Sequence, residues 1–477
     1  MKRIFLHRAV AAVVAIAVLG LLLDLAGCQA VGPNYQAPPS DTLPPRYLEV
    51  DGAESLAAGW QALSQDAELQ ALMRRALADN PDLDMALARL AQARAVQAMQ
   101  DASTAPAVNL GVQDGSDRVS RNGELFANIP PSPNLKSQFV NAQVGFDASW
   151  EIDLFGYQRR LREGAQARSE AVGEQAHDVR LSLQAEVVRN ALEWRVWQQR
   201  LQLAQVQLAQ LDEQLRITQA AVHAGEWSRQ ELLRSQNQRD SFAAGMPALE
   251  LGARQSLAAL AMLTLQPLQS LQADLHETRL PAVPAPPAAG LPAELLRRRP
   301  DIRASERDLA AASADVGVAV AAQYPRLSLS GDAGWNAIQS HALFDDRSEF
   351  WSLGPKLSLP LFNSGRLGAQ VQSNEAALQL AKARYRKTLA GALADVEVAL
   401  TRMSRDEAHR QQVQQLQAQQ ADALRLTRAQ FAAGEVARVS LIDAERGLNT
   451  AQDQSLQAQG QSLSAWLALY KALGGAP

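Results

Sequence analysis

The residue types that support catalysis or metal binding are scattered through this chain. Its six histidines show no pair at the helical spacing of metal ligands, and they stand at positions 7, 177, 223, 276, 341 and 409. The sequence contains no P-loop, no glycine-rich dinucleotide fingerprint and no nucleophile elbow. Carboxylates and arginines are spread along helical segments, where a solvated face is the expected role. We therefore predict no enzyme, no catalytic residue, no bound metal and no cofactor.

One cysteine is placed for covalent modification. Cys28 is the only cysteine, and it follows Leu25-Ala26-Gly27, a sequence that resembles the bacterial lipobox. Upstream lies a basic stretch and then the apolar run Ala9–Leu23, which is shorter than the about 20 residues that span a bilayer. We predict that residues 1–27 are a lipoprotein signal peptide and that Cys28 carries an N-acyl group and an S-diacylglycerol. The alternative is a small-residue cleavage site with an incidental cysteine.

The sequence contains an internal repeat that spans about half of the chain. Pro81-Asp82-Leu83 recurs as Pro300-Asp301-Ile302 at an offset of 219, and Ala224-Gly225-Glu226 recurs as Ala433-Gly434-Glu435 at an offset of 209. A repeat this long predicts a duplicated architecture rather than a short-period solenoid. The predicted segments are an extended tether (28–60), a first repeat (61–265), a Pro-rich linker (266–293), a second repeat (294–473) and a short tail (474–477).

Long helices must position these repeated motifs. No proline occurs between Pro133 and Pro247, and apolar residues in the first repeat alternate steps of three and four, as in a coiled-coil seam. The pattern predicts a helix over 157–224, roughly 100 Å long at 1.5 Å per residue. Gly225 and Gly434 are expected to end the long helices of the two repeats, with returning helices over about 228–265 and 437–472.

Four segments alternate apolar and polar residues. They are centred on Val108–Val112, Val140–Leu154, Leu327–Trp335 and Trp351–Leu361. Such alternation over about ten residues is typical of transmembrane β-strands, with apolar side chains toward lipid. A half-buried antiparallel sheet in a soluble protein produces the same pattern, but the export signal and lipid anchor favour the membrane.

Four strands cannot close a membrane barrel alone. An open sheet edge in lipid leaves backbone groups unpaired at several kcal/mol each, and barrels need about eight or more strands. Two chains would supply eight strands, whereas three would supply twelve and leave room for a pore. We predict a mixed membrane α/β-barrel: a homotrimer with a shared 12-stranded transmembrane β-barrel, four strands per chain, continuous with a long periplasmic α-helical barrel.

At this point the residues carry a family resemblance. The chain resembles the TolC-like outer membrane factors, in the lipoprotein branch of RND-type drug efflux systems. The motifs that carry this resemblance are Cys28 with Val31-Gly32-Pro33-Asn34-Tyr35, Leu77–Leu83 and Leu291–Arg303. The resemblance implies a passive exit duct for drugs or other small toxic compounds. It also implies a periplasmic adaptor and an inner-membrane RND-type transporter as partners. Gln29 after the cysteine, where a retention signal has Asp, implies outer membrane lipids. The net charge of −4 indicates no nucleic-acid partner.

The resemblance also implies functional residues at the periplasmic helix tips. Asp443, Arg446 and Phe431 match the acid, arginine and aromatic of a periplasmic gate, although family members usually have tyrosine where Phe431 stands. Three Asp443 carboxylates around a threefold axis would form an acidic ring that favours cations. The alternative is an ordinary i,i+3 surface pair worth about 0.2–0.5 kcal/mol. The adaptor-docking tips are expected at Gly225, Glu226, Gly434 and Glu435.

Other functions use the same architecture. A duct for type I protein secretion or for metal efflux has the same fold, and no residue here identifies the cargo. A lipid-anchored periplasmic coiled-coil scaffold or adaptor also has long helical hairpins. Such a scaffold would not need four alternating strands in a duplicated layout, so the channel is the favoured function.

Overall fold

The computed structural model describes residues 30–38, 44–48, 59–61, 63, 65–120, 138–285 and 292–475. The predicted signal peptide, Cys28 and Leu291 lie outside the described residues. Those described divide into two compact units. The first holds the residues up to Ala37 together with Ala91–Ala171 and Glu306–Arg384, and the second holds those within Pro38–Leu90, Val172–Ser305 and Tyr385–Pro477.

Helices dominate the described chain. In chain order they are α1 (Ala67–Asp79), α2 (Pro81–Ala102), α3 (Tyr157–His223), α4 (Arg229–Thr264), α5 (Leu268–Asp274), α6 (Leu295–Arg298), α7 (Pro300–Ala321), α8 (Arg366–Ala432) and α9 (Arg438–Ala472). The predicted rod over 157–224 and the two predicted returning helices are confirmed to within about a residue. In the part of the chain described here, no helix combines the length and apolar character needed to cross a membrane.

The duplication is visible in the lengths of corresponding elements. α2 and α7 each have 22 residues, and α3 and α8 each have 67 residues. Both short helices begin at a proline, whose missing N–H costs nothing in the first turn. In the first repeat the Asn80 side chain caps α2, because its Oδ1 accepts from Asp82 N at 2.9 Å.

One antiparallel sheet of four strands lies in the first unit. Its order is β1 (Ala107–Arg118), β2 (Gln138–Ile152), β3 (Arg326–Ala337) and β4 (Glu349–Ser358). β1 is longer than its apolar core Val108–Val112 predicted, because its polar second half pairs with β2. β4 ends at Ser358, whereas the alternation continues to Leu361.

In the second unit, a buried arginine joins three segments of the chain. Arg195 is 2% exposed, and its guanidinium donates to Asp66 Oδ2 at 2.6 Å and to Glu68 Oε2 at 3.3 Å. The second carboxylate oxygen of Glu68 accepts from the backbone N–H groups of His276 and Glu277, both at 2.8 Å. Arg195 therefore joins α3, the start of α1 and the linker between the repeats.

Candidate functional site

The sheet has one apolar face that a single chain leaves uncovered. The strand register places Leu110 opposite Phe146, and Phe146 opposite Ala333. The residues that share this face and are largely exposed include Val108, Leu110, Val112, Phe146, Trp351, Leu353 and Leu357. A contiguous apolar surface of this size marks contact with lipid or with another protein.

The opposite face of the sheet is polar across all four strands. Asn109 lies opposite Asp147, Asp147 opposite Asp332, and Asp332 opposite Ser352. Asn109 Nδ2 donates to Asp147 Oδ2 at 2.9 Å, and the Ser352 hydroxyl donates to Asp332. Side chains alternate between the two faces along each strand. The same strand register therefore places the polar row on one face and the apolar residues on the other. The sheet can therefore separate an apolar environment from an aqueous one.

The segment after the predicted lipidation site is docked onto the base of the sheet. We call residues 30–38 the N-terminal strap. The backbone N–H of Val31 donates to Phe155 O at 3.0 Å, just beyond the end of β2. The buried Arg160 at the start of α3 donates to Asn34 Oδ1 at 2.7 Å and to Val31 O at 3.3 Å. These contacts fix the strap where strand and helix join.

Further along the strap, Tyr35 contacts α7. Its hydroxyl donates to Glu306 Oε1 at 3.0 Å, and the Arg307 guanidinium lies 5.9 Å from its ring centroid. Burial alone would lower the pKa of Arg307, but its hydrogen bond to Glu306 leaves the pKa raised. The Tyr35 end of the strap is thus held by a hydrogen bond and by a charge–aromatic contact.

The two helix tips have the same backbone geometry. Gly225 has φ +73° and Gly434 has φ +76°. Glu226 N donates to Ala221 O at 2.9 Å, and Glu435 N donates to Gln430 O at 2.9 Å. With the accompanying bonds from the two glycine N–H groups, each turn is a Schellman motif, which favours glycine at the left-handed position. Glu226 and Glu435 are exposed directly after these turns.

Asp443 and Arg446 contact each other near the second tip. Arg446 Nη1 lies 3.3 Å from Asp443 Oδ1, and the side chains are 18% and 57% exposed respectively. Arg446 Nη1 also lies 3.4 Å from Gln214 Oε1 on α3. With its oxygen turned toward Arg446, the Gln238 amide on α4 accepts from Nη1 at 2.9 Å. Arg446 is therefore held by two other helices, while Asp443 presents its carboxylate outward.

More polar contacts join α9 to its neighbours around this pair. Asn449 Nδ2 donates to Gln210 Oε1 at 2.7 Å, and Gln210 Nε2 donates to Glu445 Oε2 at 3.3 Å. Arg428 on α8 lies 3.6 Å from Glu445. Phe431 is part-exposed on the other side of the tip turn, with the Arg438 guanidinium 6.0 Å from its ring centroid. Polar contacts therefore surround Asp443 and Arg446, next to the buried apolar side chains of Leu441 and Ile442.

Sequence reasoning missed two groups of residues that the structure brings together. The amides of Gln210, Gln214 and Gln238 are indistinguishable from the many other glutamines of these helices. Arg160 is likewise one basic residue among several at the start of α3. The only sequence signal for the strap was the motif Val31–Tyr35. Within the described ranges, no group of three potential metal ligands is found.

Residues 72–264 and 291–475 match the family described as outer membrane efflux protein. The pyoverdine export outer membrane protein OpmQ of Pseudomonas putida is 32% identical over 465 residues, covering 96% of each chain. The antibiotic efflux pump outer membrane protein ArpC of Pseudomonas putida is 29% identical over 461 residues, covering 94% of this chain and 93% of that protein. The solved structure of the outer-membrane channel OprN matches with a TM-score of 0.78 and 30% identity, covering 94% of this chain and 99% of OprN.

Proposed function

Because this chain belongs to the outer membrane efflux protein family, we propose that three copies form a gated exit duct for small toxic compounds. The predicted family and the predicted role as the outer membrane channel of an efflux system are confirmed by the match over both repeats. The predicted fold class is confirmed as well, since the relatives of known structure are channels of the same kind. The proposal adds the stoichiometry, the gate, the anchor, the partners and the cargo.

The observation that supports the proposal most strongly is a sheet with one apolar face, one polar face and two edge strands that lack an outer partner among the described residues. β1 and β4 are the outer strands of the sheet, and neither has a second partner strand among the described residues. In lipid, each backbone N–H or C=O group left unpaired at such an edge costs several kcal/mol of free energy. Four strands from each of three chains remove every edge and form a barrel of about twelve strands, wide enough for a lumen. The polar row through Asp147 and Asp332 then lines the lumen, and the apolar face contacts lipid.

Transport through such a duct is passive, and its cargo is selected elsewhere. The proposed partners are a periplasmic adaptor and, through it, an inner-membrane RND-type transporter that supplies the energy. The names of the relatives refer to pyoverdine export and to antibiotic efflux, which supports small organic molecules as cargo. The adaptor is proposed to dock at the exposed turns that contain Gly225 with Glu226 and Gly434 with Glu435.

The gate is proposed at the second tip. Asp443 is the outward member of its pair, while Arg446 is held by the amides of Gln214 and Gln238. Three Asp443 carboxylates brought together by threefold symmetry repel one another unless cations are near. Arg446 supplies part of that compensation, so the pair is proposed to stabilise a narrow aperture. Phe431, the third proposed gate residue, contacts Arg438 rather than this pair. The ordinary i,i+3 surface pair remains the alternative that mutation must exclude.

Cys28 is proposed to carry the N-acyl and S-diacylglycerol groups that anchor the chain in the outer membrane. Two residues later the strap begins, and its contacts to Phe155 and Arg160 hold it at the base of the sheet. The lipid chains would therefore enter the leaflet beside the barrel. Several acyl chains bind firmly, since each buried methylene contributes about 0.8 kcal/mol.

A deletion strain tests the function. We expect loss of this chain to raise susceptibility to small organic antibiotics and dyes, and the wild-type gene to restore resistance. A variant with Trp351→Asp and Leu353→Asp on the exposed apolar face of β4 should fail to restore it, because charges on the lipid face destabilise a transmembrane barrel. Loss of a secreted protein, or sensitivity confined to metal ions, would instead indicate one of the other duct functions.

A further inference from the structure

Three glycines lie side by side on the polar face of the sheet. The strand register places Gly111 opposite Gly145, and Gly145 opposite Gly334. Each is two residues from a member of the polar row that contains Asp147 and Asp332, so all of these positions share one face. We call the three glycines the glycine trough. Because they carry no side chains, backbone peptide groups of three adjacent strands form its floor.

Polar side chains border the glycine trough on two sides. One border is the row that contains Asp147 and Asp332. The other border consists of carboxamides that the register aligns, namely Gln113, Gln143 and Asn336. The two borders are four residues apart along each strand, or about 13 Å, and the floor is about 10 Å wide across two strand spacings. These dimensions fit a planar molecule of two or three fused rings.

An aromatic ring lies at the end of the trough nearest β4. Phe350 is opposite Gly334 and is part-exposed, whereas Trp351 on the apolar face is 79% exposed. The structure has a cavity of about 230 Å³ at this place. The residues that line it include Gly111, Gln143, Gly145, Asp147, Asp332 and Phe350. The cavity therefore combines a bare backbone floor with one aromatic and two acidic side chains.

The glycine at position 111 is not required by its neighbours. A Cβ at Gly145 would lie 2.7 Å from Ala333 O, so that position needs glycine for the approach of the adjacent strand. A Cβ at Gly111 would meet only Gly145 O, at 3.9 Å, which is ordinary van der Waals contact. Glycine in a strand interior weakens the strand and often marks the close approach of a ligand. The effect of Gly111 is to keep the floor of the trough open.

The two carboxylates beside the trough favour a positively charged occupant. Asp147 and Asp332 are directly opposite each other, an arrangement in which like charges repel. Each accepts one hydrogen bond from a neutral side chain, and among the described residues neither forms an ion pair. Lys356, a cation on the same face, lies opposite Ser328, which is four residues from Asp332 along β3, or about 13 Å. A cation in the trough would therefore relieve the repulsion between the two carboxylates.

We propose that the glycine trough binds planar aromatic cations as they pass through the duct. The proposal rests on the proposed function, which places the polar face of the sheet in the lumen, and it adds a class of cargo. The ring system lies flat on the glycine floor with one edge against Phe350, and its charge lies beside Asp147 and Asp332. The site is open toward the lumen, so its occupants exchange readily, as conduction requires. The trough thus binds cargo that the transporter has already selected.

Equilibrium binding of proflavine, a planar three-ring cation, to the purified full-length trimer tests the site. Gly111→Leu places a side chain on the floor of the trough, so binding should be lost. Gly115→Leu is the matched control, because it lies on the same face of the same strand and its new Cβ has no atom within 4 Å. Fluorescence anisotropy in a neutral detergent measures both, and the control should bind within about twofold of wild type.

Two further variants separate the aromatic contact from the charge. Phe350→Leu keeps an apolar side chain but removes the ring, and it should weaken binding about two- to tenfold, as the loss of an aromatic pair does. Asp147→Asn with Asp332→Asn removes both charges and should weaken binding about tenfold. Tetraethylammonium has the same charge but is not planar, so it should not displace the dye at an equal concentration.

The proposal is overturned if Gly111→Leu binds the dye as tightly as Gly115→Leu. A loss confined to the variant without the two carboxylates, or displacement of the dye by tetraethylammonium, would also overturn it, because the carboxylates would then attract any cation. Equal binding by every variant would show uptake by the detergent and no site on the sheet. Each of these results leaves the efflux duct standing, whereas purified protein that forms no trimer on native gels would contradict the duct itself.

Discussion

Gly32 of the N-terminal strap and Gly317 of α7 are in backbone contact. A Cβ at position 32 would lie 2.6 Å from the Cα of Gly317, and Gly32 has φ +86°, which favours glycine. The same strap carries Val31 and Asn34, which accept from the buried Arg160. The strap therefore docks only if position 32 has no side chain.

We expect Gly32→Ala to release the strap from the base of the sheet. The new methyl group meets backbone that cannot yield without moving α7, and the left-handed conformation adds about 1 kcal/mol. Limited proteolysis should then cleave within residues 30–38 of the assembled protein. Gly245→Ala is the matched control, because that helical glycine has no neighbouring atom within 4 Å of a new Cβ. Equal protease resistance of both variants would contradict the docking.

The sequence predicted the long elements well because their signals are local. A proline-free heptad-like pattern that ends at Gly225 determines α3, and alternation determines the strand faces. The end of β4 was not predicted, because the alternation continues to Leu361, whereas the described part of the chain places no strand beside residues 359–361. The contacts of Arg446 with Gln214 and Gln238 were equally invisible. They depend on how three helices pack, which no local pattern encodes.

Cys28→Ser should remove lipidation without releasing the protein from the membrane. The thioether cannot form on serine, so metabolic labelling with palmitate should be lost. The barrel would still hold the protein, and alkaline carbonate should not extract it. Gln29→Asn is a matched neighbour change that leaves the acyl acceptor intact. Complete extraction of the Cys28→Ser protein would favour the anchored scaffold instead.

Arg195→Ala should destabilise the second unit by about 3 kcal/mol, because it leaves the carboxylates of Asp66 and Glu68 without their buried partner. Thermal unfolding followed by circular dichroism measures this loss. The matched control is Arg425→Ala, whose ion pair with Asp422 is largely exposed and should contribute at most a few tenths of a kcal/mol. Equal losses of unfolding free energy in the two variants would contradict the prediction that the buried contacts of Arg195 stabilise the second unit.

The same ion pair predicts an acid-sensitive stability. Burial raises the pKa of Asp66, but the hydrogen bond from Arg195 and those from the Leu69 and Glu68 N–H groups outweigh it, so the pKa lies below its ordinary value of 3.8. A lowered carboxyl pKa stabilises the fold above pH 3.8, and this contribution is lost as the pH falls toward the lowered pKa. Asp66→Asn should flatten the pH dependence of the unfolding temperature in that range. If the unfolding temperature of Asp66→Asn falls with decreasing pH as steeply as that of wild type, Asp66 is not the cause of the acid sensitivity.

Charge reversal at the helix tips should weaken adaptor docking while the fold persists. Glu226→Arg and Glu435→Arg change exposed residues just beyond the Schellman turns, so unfolding temperatures should stay within about 1 °C of wild type, as surface changes usually do. Recovery of the periplasmic adaptor with the purified channel should fall in both variants. Glu375→Arg, which changes an exposed carboxylate of α8 in the other unit, is the control. Undiminished recovery in the tip variants would move the docking surface elsewhere.

Single-channel conductance in planar bilayers tests the gated duct most directly. Wild-type trimer should show a small conductance, because the proposed gate of Asp443 and Arg446 keeps the periplasmic aperture narrow. Asp443→Ala with Arg446→Ala should give a several-fold larger and stable conductance, while Asp422→Ala with Arg425→Ala, an exposed pair on α8, should behave as wild type. A large conductance in all three proteins would contradict the gate. No conductance from any of them, in folded and inserted trimers, would contradict the duct itself.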